Sequence, residues 1–244
     1  AILGQEENCT GDPARRAGNE LLFSMLAEGN AEVLNTYKEQ GGIRTVVTAC
    51  PHCFNTLKNE YPDFGATLEV VHHTDYLMGL LAEKKLTPSA PVAGKVVYHD
   101  SCYLGRYNGI YDSPREILRR IPGVELVEAE YWTKSRGLCC GAGGAQMWME
   151  EQNNNRVNVK RTLQLVDTGA RTVASACPFC MTMLTDGLKS QSLEDRIKRR
   201  ERIRQLDRRC FDTGRAKLHE VNSAEQLERC FDKLIELHQK RRQS

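Results

Sequence analysis

One local pattern occurs twice in this chain and restricts its fold more than any other feature. Thr45–Leu57, "TVVTACPHCFNTL", is echoed by Thr172–Leu184, "TVASACPFCMTML", at an offset of 127 residues. Each copy is a short β-branched run, which reads as a buried strand, followed by Cys-Pro-x-Cys opening a helical stretch. A second echo, "NCTGD" at 8–12 against "CCGAG" at 139–143, comes at nearly the same offset, 131, and sets Asn8 opposite Cys139 and Cys9 opposite Cys140. On the same spacing, the first-half counterpart of Cys102 falls before residue 1. The doubled pattern therefore predicts two related halves, with the chain starting partway into the first.

Between these units, strand-like and helix-like stretches alternate. "KVVYHDSC" and "VELVEA" read as strands, as does "TLEVVHH", with "TDYLMGLLAEKK" as a capped helix after it. The run from Asp12 to Gln40 reads as one helix, with Asp12 as N-cap, Pro13 in the first turn and Gly41–Gly42 as its stop. "SPREILRRI" reads as a helix capped by Ser113, and Ala145–Thr168 as a longer one, whereas the opening "AIL" reads as a strand end. Alternation of this kind implies an α/β fold of two pseudo-repeated parallel-sheet βα units, Rossmann-like halves, followed by a helical C-terminal tail. The expected divisions are 1–93, 94–188 and 189–244.

Composition sets the outer limits. Among the 244 residues, 40% are apolar and 27% charged, the profile of a soluble globular protein, and no apolar run has the length of a membrane span. Cytoplasm is the expected compartment. Residues 187–244 hold 16 Lys+Arg against 10 Asp+Glu and read as two amphipathic helices, with Cys210 and Cys230 on helix faces beside Phe. Without interleaved aromatic residues this basic stretch reads as a solvated helix face, and no nucleic-acid partner is expected.

The other eight of the ten cysteines stand at 9, 50, 53, 102, 139, 140, 177 and 180. In the second half, 36 residues separate Cys102 from Cys139–Cys140, and 36 more separate Cys140 from Cys177-Pro-Phe-Cys180. Each group lies at or near the C-terminal end of a predicted strand, and in an open parallel sheet those ends line one rim. Helix N-termini favour thiolate over thiol, and the bare backbone of Gly141, Gly143 and Gly144 can bring N–H groups close to sulfur. Five thiolates exceed the four that tetrahedral zinc takes and suit a multi-iron cluster; zinc on four of the five is the competing reading, and a thioredoxin-like dithiol needs only one CxxC. His52 reads as a packing position because Phe179 replaces it in the second copy. His99–Asp100 reads equally as a sulfur hydrogen-bonding pair and as a local cap, His72–His73 as sheet-edge packing, and Arg106 and Arg115 as surface salt bridges.

The segments "CPHCFNTLKNEYPDFG", "HDSCYLGRYNGIYDSPREIL", "LCCGAGGAQMWMEE" and "ACPFCMTML" closely resemble the cysteine-rich CCG-domain proteins. These include heterodisulfide reductase catalytic subunits, the iron–sulfur subunits of glycolate oxidase and lactate utilisation, and that of anaerobic glycerol-3-phosphate dehydrogenase. "CTGDPARRAGNE" with "HHTDYL" is most similar to the branch that links electron-transfer flavoprotein to quinone. The resemblance covers about residues 1–188. It implies an iron–sulfur oxidoreductase domain with a non-cubane four-iron four-sulfur cluster on Cys102, Cys139, Cys140, Cys177 and Cys180. A second, incomplete iron–sulfur site would fall on Cys9, Cys50 and Cys53, since Asn8 departs from the double cysteine. Relatives of this branch carry a further ferredoxin-like segment upstream. The implied partners are a flavoprotein electron donor, a quinone or disulfide acceptor and a membrane-associated subunit, with the protein peripheral at the inner face of the membrane. Relay of electrons and two-electron thiol–disulfide chemistry both stay open, as does a non-catalytic zinc-stabilised interaction module.

Overall fold

The computed structural model describes residues 3–149 and 155–193. The tail helices, Cys210 and Cys230 lie outside the described residues. Two parallel sheets carry the architecture. In the first, β1 (Thr45–Thr48) pairs with β2 (Glu69–His72), with Thr45 opposite Glu69 and Thr48 opposite His72, and helix α3 (Pro51–Asn59) forms the crossover. In the second, β3 (Gly94–His99) lies between β4 (Val124–Val127) and β5 (Thr172–Ser175). The chain leaves β3 through α5 (Asp112–Arg119) to β4, then crosses by α6 (Val157–Asp167) to β5 on the other side. The strand order therefore reverses at β3, and a crevice opens at the carboxyl end of a strand so placed.

The hydrophobic pattern explains what packs where. Helix α2 (Glu20–Glu39) buries Phe23, Ala27, Ala31 and Leu34, one stripe at helical spacing, against Phe54 and Leu57 of α3 and Val70 of β2. Leu104 and Ala176 from the second half belong to the same core, so the two halves share apolar side chains. A second core joins Val97 of β3 and Val173 of β5 to Leu165 and Val166 of α6 and Leu184 of α7 (Pro178–Ser190).

Several local expectations are corrected. The first long helix is two: α1 (Asp12–Arg16) ends at a left-handed Gly18, φ +83°, and α2 restarts under Asn19, whose side chain accepts from the Leu22 amide at 3.1 Å. Gly11, not Asp12, is the N-cap of α1, which frees the Asp12 carboxylate for long-range partners. The stretch 145–168 is not one helix. A 3-10 turn at Gln146–Trp148 gives way to extended Met149, and extended Arg156 precedes α6. Helix α5 starts at Asp112 under Tyr111, so Ser113 is inside it. Leu3 has helical dihedrals and leads into a 3-10 turn at Gly4–Glu6 rather than ending a strand. His72 is buried at the end of β2 and caps α4 (His73–Ala82), its Nδ1 facing the Thr74 amide.

Candidate metal centre

The two Cys-Pro-x-Cys units adopt one geometry. Cys50 and Cys177 are extended N-caps (φ −111°, ψ 125° and φ −130°, ψ 125°), and the proline after each takes a first-turn position where no N–H is needed. The next amides face back to the cap: those of Cys180 and Phe179 favour the Cys177 thiolate, and that of Cys53 favours the Cys50 thiolate. The CCG loop supplies the same chemistry without a helix. The Gly141 amide donates to Cys139 Sγ at 3.3 Å, and the Gly143 amide also stabilises that thiolate. Gly141 has φ +90°, and a Cβ there would lie 3.3 Å from the Asn158 nitrogen and 3.4 Å from Met183 Cε, so only glycine fits. Gly144, φ +62°, faces open space and serves the backbone turn.

Four second-half cysteines pack in one cluster, Cys140, Cys177 and Cys180 with Cys139 beside them. Seven sulfurs are electrostatically coupled in one line, each shifting the next, from Cys53 through Cys50, Cys177, Cys180, Cys140 and Cys139 to Cys102. Cys9 is exposed, its carbonyl held by Asn30 Nδ2 at 2.9 Å, and its sulfur stands outside this line. Within the line, charge gathers on two sulfurs. The neighbouring Cys180 and Cys50 thiols favour the Cys177 thiolate and pull it down to about 4, and Cys102 and Cys140 pull Cys139 down further. Their neighbours are pushed up: Cys140 to about 12, chiefly by Cys139, and Cys50 to about 11, chiefly by Cys177. Protons hold such a line together only as long as no cation competes, because a coordinated thiol is deprotonated outright.

Three buried polar groups surround the sulfurs. His99, at the end of β3, is fully buried, and one of its ring nitrogens lies within 4.8 Å of the Cys140 and Cys180 sulfurs. Its Nδ1 is 2.9 Å from Arg161 Nε of α6. Burial, with the Arg161 cation beside it, pushes His99 down to about 3. On the far side of β3, Asp100 accepts Arg115 Nη1 and Nη2 at 2.7 and 2.8 Å and the Lys134 amide at 2.7 Å, while Glu128 takes Arg115 Nε at 2.6 Å. Arg115 is therefore a buried, doubly paired strut over the Tyr98 ring and not the expected surface salt bridge, because only a planar fork serves both carboxylates at once. In the first half, Asp12 accepts from His52 Nδ1 at 2.7 Å, Arg16 Nε at 3.0 Å and Thr56 Oγ1 at 3.2 Å. His52 then lies against Tyr103 and Phe179, with ring centroids 4.2 and 4.7 Å away, and bridges the two halves as a packed, oriented side chain. Arg106 is exposed and bonds the Gly137 carbonyl at 2.7 Å.

The donor set suits an anionic multi-iron group better than a single zinc. More sulfurs adjoin than four-coordinate zinc can use, and they are soft ligands in a mostly buried site. Arg161 is fully buried, and among the described residues it has no carboxylate partner, so its charge needs an anion nearby.

These features belong to one kind of molecule, a parallel βα protein with a doubled Cys-Pro-x-Cys unit that gathers cysteines from just beyond β1, β3 and β5 and from the CCG loop. Residues 1–58 and 96–185 match the CCG family, described as a cysteine-rich domain, and the chain belongs to that family. It is 50% identical over 198 residues to "Probable iron-sulfur-binding oxidoreductase FadF" of Bacillus subtilis, covering 81% of this chain and 27% of that protein. It is 45% identical over 203 residues to the "EtfAB:quinone oxidoreductase" of Syntrophomonas wolfei, covering 80% and 28%. With a dihydromethanophenazine:CoB–CoM heterodisulfide reductase polypeptide of Methanosarcina barkeri it shares 35% identity over 193 residues, covering 77% and 46%. The chain thus spans about a quarter of the first two relatives and about half of the third.

Asp12, Arg161 and the Cys50–Cys177 contact do not stand out in the sequence. Asp12 reads as a helix cap, and nothing in the sequence sets Arg161 apart from the other basic residues. The link between the halves has only one hint, the repeat itself.

Proposed function

We propose that this chain is the iron–sulfur electron-transfer domain of an oxidoreductase, passing electrons between a flavoprotein and a quinone or similar acceptor. The observation that carries the proposal is the packing of Cys139, Cys140, Cys177 and Cys180 into one cluster, with the Cys140 and Cys180 sulfurs within 4.8 Å of each other. In this reading Cys102, Cys139, Cys140, Cys177 and Cys180 hold a four-iron four-sulfur cluster of the non-cubane type. Cys50 and Cys53, with Cys9 nearby in sequence, belong to a second site. The halves 1–93 and 94–188 each contribute one cysteine set, with the basic segment 189–244 beyond them. A bound cluster supplies one-electron chemistry at a potential set by its net charge and by the hydrogen bonds to its sulfurs. The protein's own part is to hold thiolates in register, to aim the Gly141 and Gly143 amides at Cys139, and to keep water from the buried sulfurs of Cys140, Cys177 and Cys180.

The named activity of the Syntrophomonas relative supports a quinone acceptor and an EtfAB donor, read here as the flavoprotein. In this proposal the chain works in the cytoplasm or at the inner face of the membrane. Among the described residues no helix is long and apolar enough to cross a membrane. A membrane-associated partner subunit belongs to this proposal. A second reading, thiol–disulfide reduction, is favoured by one observation: Cys50 and Cys177 join the cysteine sets of the two halves. Anaerobic purification followed by iron, sulfide and zinc assays tests the first claim, since a colourless protein with one zinc would overturn it. Reduced protein offered a quinone analogue and a heterodisulfide separates the two readings by which one is consumed.

A further inference from the structure

Two buried polar side chains around the sulfurs are left incomplete by the polypeptide. His99 Nε2 and Arg161 Nη2 are both buried without a hydrogen-bond partner. Leaving such a group unpaired costs its full desolvation, so each signals a missing partner. The rest of the pair is fully specified. Arg161 Nη1 donates to the Trp132 carbonyl at 2.8 Å and to Gln164 Oε1, and Arg161 Nε donates to His99 Nδ1 at 2.9 Å.

That last bond decides the tautomer. A guanidinium has donors only, so His99 Nδ1 must present its lone pair, and the single ring proton of the neutral imidazole is on Nε2. An Nε2 that carries hydrogen has no lone pair for a metal. His99 is thereby excluded as a metal ligand, although a ring nitrogen lies within 4.8 Å of the Cys140 and Cys180 sulfurs. What remains is a donor beside thiolates.

We infer that His99 is a positioning residue whose Nε2–H, fixed in that tautomer by Arg161, donates a hydrogen bond to sulfur of the Cys140–Cys180 side of the cluster and raises its reduction potential. The inference rests on the iron–sulfur reading above. Its physical basis is charge: reduction adds an electron to the cluster, and a donor aimed at sulfur stabilises the more negative state more than the oxidised one. The buried guanidinium behind the imidazole acts in the same direction.

The test compares anaerobic wild-type protein with His99→Leu and His99→Gln at equal iron and sulfide content. Leucine removes the donor. Glutamine keeps both functions, an oxygen for Arg161 and an amide N–H for sulfur. His99→Leu is expected to weaken reduction about tenfold, a fall of ~59 mV for a one-electron couple, with His99→Gln recovering most of it. In 15N-histidine-labelled wild-type protein, pulsed EPR of the cluster should show a weak nitrogen coupling and a proton that exchanges in D2O, with the histidine coupling absent from His99→Gln. An unchanged potential in His99→Leu overturns the inference, and so does a strong nitrogen coupling typical of direct ligation. If His99→Leu takes up no iron, the labelled wild-type spectrum decides alone: no histidine coupling, no donor. Zinc without iron in the wild type instead removes the iron–sulfur reading itself.

Discussion

Arg115 shows how much one side chain contributes to the surroundings of this site. Its guanidinium is buried and shared by Asp100 and Glu128, and Asp100 also takes the Lys134 amide. Arg115→Met leaves two carboxylates facing each other without a cation, and it should lower unfolding stability by about 3–5 kcal/mol in urea titration. Glu128 adds a pH signature. Although burial alone would raise its pKa, the Arg115 hydrogen bond and charge hold it below the ordinary carboxylate range. Its stabilising share is thus present above the unfolded value and lost as pH falls through the lower folded one. Denaturation midpoints at a series of acid pH values should show this loss in the wild type and not in Arg115→Met. Gly141 is as exacting for a different reason: its φ of +90° strains any side chain, and a Cβ would sit tightly, 3.3 Å from the Asn158 nitrogen. Gly141→Ala should cost about 1–2 kcal/mol of backbone strain and withdraw the amide from Cys139, which an iron assay would register as substoichiometric loading.

Among the elements, the crossing of α6 and α7 brings the second CxxC up to the CCG loop. A Cβ at Gly187 would lie 2.3 Å from Thr162 Oγ1 and 3.1 Å from the Asn158 carbonyl, so the two helices approach across a bare glycine. Gly187→Ala should separate them and cost about 1–3 kcal/mol in thermal unfolding, as overpacking does. The same contact explains why α6 begins at Val157 and not at Ala145. Asn158 ties the start of α6 to the Met183 carbonyl at 3.2 Å, while residues up to Met149 follow the CCG loop. The periodicity of 145–168 suggests one helix because apolar spacing does not register an extended residue such as Met149 or Arg156. The expected Asp12 cap fails for a related reason. The Asp12 carboxylate accepts from His52, Arg16 and Thr56 instead, and left-handed Gly11 takes the cap position.

Across the molecule, Leu104 and Ala176 of the second half pack into the first core, and the buried cysteines form a cluster of their own. On the proposed reading, a group bound by those cysteines acts as a crosslink. Anything that binds only the folded state stabilises it by mass action. Stripping iron with a chelator under anaerobic conditions should therefore lower Tm by several degrees, and re-supplying iron and sulfide should restore it. On the proposed reading, Cys50→Ser should leave iron binding by the second-half cysteines in place yet lower the iron content per chain.

The alternating βα order, the parallel pairing and the placing of Cys102 and Cys177 just beyond β3 and β5 were legible in the residues alone, whereas Cys139 and Cys140 lie in a loop twelve residues past the end of β4. They follow from local rules: β-branched runs, a proline after the capping cysteine, glycines in the CCG loop. The reach of Cys50 to Cys177, the burial of Arg115 and Arg161, and the fixed tautomer of His99 beside sulfur emerge only from the folded chain. Arginine in a helical pattern reads as surface, since nothing local records a carboxylate 15 residues away or a histidine 62 residues away. Burial and pairing are properties of contacts between distant segments, and those exist only once the sheets have assembled.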